Sequence, residues 1–145
     1  MDELIKGLDE DLEYVGHEIV GDTIFITVAS TRKAAICPYC GAVSDKVHSV
    51  YKRRFKDLPI QGKKVEIIIN NRKMFCNNSE CEHRTFAETF DCLPFKSTRS
   101  QRLTDEIVRI SLEVSSITAS RLLNKSVVKV GKSTICNLLK KKENP

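Results

Sequence analysis

C-P-Y-C-G at 37–41 and C-N-N-S-E-C at 76–81 are two cysteine turns with 35 residues between Cys40 and Cys76. Each turn can offer two thiolates from one tight bend. Zinc takes four such ligands in a closed tetrahedral shell. The chain between the turns is rich in strand-forming residues, so both turns can meet at one end of a small sheet. The spacing therefore predicts a zinc ribbon with Cys37, Cys40, Cys76 and Cys81 as ligands to one structural zinc ion. Gly41 fits, because the backbone after such a turn needs dihedrals that other residues resist.

Other uses of these cysteines fit less well. A redox C-x-x-C should open a helix after a strand in a parallel α/β fold, and no such pattern surrounds Cys37. A catalytic zinc needs an open coordination position. His48 and His83 are near in sequence, and His83 is the better substitute ligand, but four cysteines already fill the shell. Cys92 is a long way from Cys81 and reads as a small core residue. Cys136 reads as a buried helix residue.

Outward from the turns, K-V-E-I-I-I-N-N-R-K-M-F at 64–75 is the strongest strand signal in the chain. Gln61-Gly62 reads as the turn joining it to a strand over 46–59. Thr85–Phe90 suggests one more short strand. Upstream, Gly21-Asp22 between β-rich runs reads as a hairpin, with Ile24, Ile26 and Val28 on one face. Leu4, Ile5, Leu8 and Leu12 predict an amphipathic helix over 2–12.

Past Pro94 the polar run Lys96–Gln101 reads as a boundary or linker, and the period turns helical. Leu103, Ile107, Ile110 and Val114 mark a first helix. Ile117, Leu122 and Leu123 mark a second, in which Ala119 permits close packing. Ile135, Leu138 and Leu139 mark a third, entered near Gly131–Ser133. The fold class expected is α+β: an acidic N-terminal helix and hairpin (1–30), a small antiparallel zinc-ribbon domain (31–95), and a three-helix, helix-turn-helix-like domain (96–142). The six residues Lys125–Val130 exceed the usual turn of that motif. Gly131-Lys132-Ser133-Thr134 imitates the end of a phosphate-binding loop, but Ser126 stands where that motif needs glycine.

Charge is unevenly laid out along the 145 residues. Residues 1–31 carry eight acids and one base, whereas 32–73 carry eleven bases and three acids. The last 45 residues, 101–145, are again basic, at +5. Such basic segments commonly meet phosphate. Lys52, Arg53, Arg54, Lys63, Lys64, Arg72 and Lys73 would collect on one region of the ribbon if its two long strands pair. Tyr51 and Phe55 interleave with them. In a helix-turn-helix the start of the second motif helix enters the major groove. This nominates Lys132, Ser133, Thr134 and Asn137 for base contact, with Arg121, Lys129 and Lys140 for phosphates. The longest apolar run, Ile24–Ala29, is far shorter than a membrane span, and the chain opens acidic rather than as a signal peptide. A cytoplasmic protein without membrane or small-molecule partners is expected.

The motifs C-P-Y-C-G (37–41), V-H-S-V-Y-K-R-R (47–54), D-L-P-I-Q-G (57–62), R-K-M-F-C (72–76) and C-E-H-R-T-F-A-E (81–88) are similar to the N-terminal zinc-binding domain of bacterial ISL-three-type insertion-sequence transposases. A-S-R-L-L (119–123) and V-G-K-S-T-I-C-N-L-L-K-K (130–141) resemble the helix-turn-helix of that family. The resemblance implies recognition of double-stranded DNA at transposon ends, and it carries Cys37, Cys40, Cys76 and Cys81 over as zinc ligands. It also implies a catalytic domain of the DDE type beyond the helices. The sequence ends before such a core could begin, so no strand transfer is expected of this chain alone. Partners expected are duplex DNA and itself or a full-length transposase, at the nucleoid. The alternatives are a zinc-dependent interaction or oligomerisation module and a stand-alone transcriptional regulator.

Overall fold

A computed structural model describes residues 1–94, 96–114, 116–129 and 131–143. Its centre is the long hairpin of β5 (Val47–Ile60) and β6 (Lys63–Phe75). Ile60 pairs with Lys63, and Gln61 and Gly62 between them both have positive φ, 50° and 75°. That backbone matches the twist of the flanking strands. The strand and turn expected over 46–75 are therefore found.

The hairpin of β1 (Leu12–Val20) and β2 (Thr23–Ser30) turns at Gly21, φ 61°. It is not a separate layer. β2 pairs in parallel with β6, Ile24 beside Val65, Ile26 beside Ile67 and Val28 beside Ile69. The sheet is thus mixed and five-stranded, in the order β1-β2-β6-β5, with β7 (Thr85–Ala87) also paired to β6. The ribbon strands β5, β6 and β7 pair antiparallel as expected, whereas the N-terminal hairpin, expected to stand apart, joins them through a parallel pair. The reason lies in β6, whose Val65, Ile67 and Ile69 are buried. In the middle of the sheet its backbone N–H and C=O groups need partners along both edges, and β2 supplies the second.

The core lies on one face of this sheet. Ile24, Ile26, Val28, Phe55, Val65, Ile67 and Ile69 meet Ile5, Phe90, Cys92 and Leu93 there. Helix α1 (Asp2–Leu8) is shorter than the helix expected over 2–12. Asp9 is extended, and its side chain accepts from the Asp11 N–H at 2.9 Å. Such a local bond competes with the helix, and Leu12 enters the core from β1 instead.

The three remaining helices are α2 (Gln101–Glu113), α3 (Ser116–Ser126) and α4 (Lys132–Glu143). They pack around Leu103, Ile107, Ala119, Leu123, Val128 and Ile135. Ser100 caps α2, its Oγ accepting from the Leu103 N–H. Two of the apolar residues that mark α3 in the sequence, Ile117 and Leu122, are about half exposed. Ala119 and Leu123, spaced i and i+4, define the inner face, which turns those two outward. Lys125 and Ser126 belong to α3, so the connection to α4 is shorter than the sequence suggests.

The run read as a linker is docked. The Lys56 N–H donates to Thr98 O and the Ser100 N–H to Lys56 O, both at 2.9 Å. The chain leaving the sheet thus lies along the outer edge of β5 before α2 begins.

Candidate metal centre

The first cysteine turn is closed by a two-residue ladder, β3 (Ala35–Ile36) against β4 (Val43–Ser44). The Cys37 N–H donates to Ala42 O, and the Gly41 N–H donates back to Cys37 O, each at 2.8 Å. Gly41 sits at φ 78°, the left-handed conformation its place in the sequence predicts. The second turn hangs from the end of β6. There the Cys76 N–H donates to Arg84 O, the Cys81 N–H to Asn78 O, and Asn78 Oδ1 accepts from the Glu80 N–H. Asn77 Nδ2 donates to Val43 O across the gap and fastens one turn to the other. Ala35, Met74 and Phe86 form a small apolar floor with Cys37 beneath the sulfurs.

The sulfurs of Cys37, Cys40, Cys76 and Cys81 all lie within 4.8 Å of one another. Cys40 and Cys76 are 3.5 Å apart, far beyond a disulfide bond. Zinc–sulfur bonds of about 2.3 Å in a tetrahedron put the sulfurs roughly 3.8 Å apart, so the cluster has the size of one zinc shell. The thiol chemistry agrees. A backbone hydrogen bond from Ala42 is the main reason the Cys40 thiol is lowered to about 7. A backbone hydrogen bond from Asn78 favours the Cys76 thiolate, but burial and the neighbouring thiols outweigh it and push Cys76 up to about 12. Cys81 also rises, despite a bond from the His83 backbone. Four thiolates this close repel unless a cation sits among them. The donor set fits one structural zinc.

Neither histidine is in the cluster. His83 stacks on Tyr39, ring centroids 3.6 Å apart, and His48 bonds Ser49 Oγ and meets the edge of Phe75. Cys92 is buried in the main core, where desolvation holds its thiol up near 12.

The basic residues expected to gather on the ribbon do not form one patch. Lys52 and Arg54 are exposed on β5, opposite Asn70 and Ile68, on the sheet face away from the core. Arg53 points to the other face and donates to Ser97 O at 3.1 Å. Lys63 and Lys64 flank the far turn, Lys64 beside Asp22 at 3.8 Å. At roughly 3.3 Å per residue, this turn is about 20 Å or more from Lys52. Lys73 is exposed near the zinc end.

Arg72, expected to be a phosphate contact, is structural in this fold. Its Nε and Nη2 donate to both oxygens of Glu88, whose side chain is wholly buried. Arg72 Nη2 also reaches Ser30 Oγ and Arg32 O, and Arg32 bonds Asp11. This network ties β6 to the chain leaving β2. A second one joins the sheet to the helices through Asp57, Ser100 and Arg102. The sequence flagged neither, because their partners are 16 and 45 residues apart with no spacing motif.

Arg121 on α3, Lys129 in the connection after it, and Lys132, Ser133, Asn137 and Lys140 on α4 are exposed, and Thr134 is half-buried. Tyr51 is exposed, whereas Phe55 is core.

Residues 33–81 match the family model described as the zinc-finger of transposase IS204/IS1001/IS1096/IS1165. This stretch is similar to the zinc region of ISL-three-type transposases. A transposase for insertion sequence element IS1001 from Bordetella parapertussis is 36% identical over 56 residues. The match covers 39% of this chain and 14% of that relative. No solved structure matches the chain. Among the described residues no helix is long and apolar enough to cross a membrane.

Proposed function

We propose that this chain binds double-stranded DNA as the end-recognition part of a transposase, without carrying the chemical step itself. The observation that carries the reading is the outer face of α4. Its inner side, Ile135 with Leu138 and Leu139, packs on the helical core. Lys132, Ser133, Asn137 and Lys140 are exposed, and no acid occurs from 132 to 142. A helix so placed, third in a three-helix unit, suits a major groove, its first turns at base edges and its lysines at phosphates.

In this reading residues 96–142 are the reader, with α3 and α4 as a helix-turn-helix. Residues 31–95, completed by the hairpin from 1–30, form the zinc-bearing unit. Bound zinc would hold Cys37, Cys40, Cys76 and Cys81 together and fix that end of the sheet. Lys52 and Arg54 add phosphate attraction from the uncovered sheet face. The setting is a bacterial nucleoid, with duplex DNA and further transposase chains as partners.

The test is fluorescence anisotropy of the zinc-loaded protein on duplexes from the DNA flanking its own gene, against scrambled duplexes, over a salt series. Tight binding that prefers the flanking ends and falls with salt supports the reading. Equal, weak, salt-insensitive binding to every duplex would refute it.

A further inference from the structure

Half-buried arginines in this protein come with acceptors. Arg32 has Asp11, Arg72 has Glu88, Arg102 has Asp57, and Arg53 has the Ser97 carbonyl. Arg99 is the exception. It is half-buried, and its Nε is fully buried with no hydrogen-bond partner. Among the described residues no carboxylate pairs with its guanidinium. A buried N–H without an acceptor is costly, and a charged one more so. Its backbone is meanwhile held in place, since Arg99 bridges Lys56 on β5 and its amide donates to Ser97 Oγ.

Arg99 lines a cleft of about 720 Å³ where the segment leaving the sheet, the start of α2 and the end of α4 converge. Lys96 and Lys141 line the same cleft. The acid there is Asp105, and its Oδ1 is already engaged by Gln101 Nε2 at 2.9 Å. Three cations from two parts of the fold therefore face one space, and among the described residues that line it Asp105 is the one acid. Thr98 and Thr104 add hydroxyls to the wall. An arginine on a held backbone, with no carboxylate paired to it and lysines at the rim, suits a tetrahedral oxyanion with several acceptor oxygens.

We propose that this cleft is a phosphate seat, with Arg99 as its anchor and Lys96 and Lys141 at its rim. Resting on the DNA-binding reading, its occupant is one backbone phosphodiester of the bound duplex. The seat touches both the edge of β5 and α4, so one phosphate held there fixes the register of the sheet unit and the reader helix together.

The test uses the zinc-loaded full chain with Arg99→Gln and, separately, Lys141→Gln. Lys141 is exposed, so its replacement leaves the fold intact. Duplex binding is measured over a salt series. Arg99→Gln should weaken binding to flanking and scrambled duplexes alike and reduce the log–log salt slope by about 1. Lys141→Gln should act in the same direction. In a second arm, inorganic phosphate is titrated while the Arg99 Nε–H resonance is followed. A saturable shift, weakened by Lys141→Gln, marks the seat without DNA. If the wild-type protein binds duplex but both variants keep its slope, and phosphate leaves Arg99 unmoved, the seat is wrong and the DNA reading stands. If duplex does not bind but phosphate saturates Arg99, the DNA reading fails and the seat serves free phosphate. No response in either arm overturns both.

Discussion

Arg102, on the first turn of α2, grips the carboxylate of Asp57 in β5 through two nitrogens, Nε at 2.8 Å to Oδ1 and Nη2 to Oδ2. Asp57 is only 2% exposed, and Ser100 Oγ donates to the same Oδ1 at 2.7 Å. One buried carboxylate therefore anchors the helical unit to the sheet, and Ser100 serves it while also capping α2. Removing Arg102 strands a buried charge. Arg102→Ala should cost about 3 kcal/mol, below the upper range for buried pairs because the guanidinium is partly solvated. Urea unfolding measures this. A loss under about 0.5 kcal/mol, the size of an ordinary surface substitution, would show the contact to be incidental.

Arg72 and Arg54 stand on the two strands of the same hairpin and should behave oppositely. Arg72→Gln leaves the buried Glu88 without its main partner and should lower stability by roughly 3 kcal/mol. Arg54→Gln, on the open sheet face, should change stability by no more than about 0.5 kcal/mol while weakening DNA binding and its salt dependence. Melting temperature and anisotropy on the same two variants separate the roles. Reversed results would mean Arg72 faces phosphate after all.

Zinc loading should release protons, and the sign follows from the thiols. Zinc binds thiolates, whereas without metal Cys76 and Cys81 are held above the ordinary thiol range and Cys40 sits near 7. Loading at neutral pH must therefore expel protons from Cys76 and Cys81 and part of one from Cys40. Falling pH restores those protons, so zinc affinity should drop as pH falls through 7 and below. Proton release into weak buffer, measured with stoichiometric zinc, should exceed about two per ion. Release near zero would mean the four sulfurs do not share the metal.

Cys76→Ser should abolish stoichiometric zinc and loosen the Ala35–Met74–Phe86 floor, seen as lost amide dispersion around 35–44 and 74–86. Cys136→Ser should keep one zinc per chain. Metal content by atomic emission decides it, and a full zinc complement in Cys76→Ser would remove that residue from the ligand set.

For the reader helix, Lys132→Ala with Asn137→Ala should relax the preference for flanking over scrambled duplexes. A good base contact contributes about 1–3 kcal/mol of discrimination. Lys52→Ala with Arg54→Ala should instead weaken all duplexes equally. If only the strand pair changes sequence preference, the sheet is the reader.

The cysteine spacing, the hairpin turns and the i, i+4 apolar pattern of α2 were legible in the sequence because each is a local rule. A chelating turn needs its ligands a few residues apart. A left-handed turn needs glycine or a tolerant residue, and a helix buries residues on one side. The zinc shell and the three-helix core could thus be read before any coordinates. Partnership across the chain could not. Whether β2 lies beside β6, whether Arg72 meets a phosphate or Glu88, and whether 96–101 swings free or docks on β5 are settled by burial of particular atoms against distant ones. The same arginine reads alike at 54, 72 and 99 in a one-dimensional string. Only the tertiary structure exposes the first, neutralises the second inside a buried network, and leaves the third facing a cleft with none of the described carboxylates paired to it.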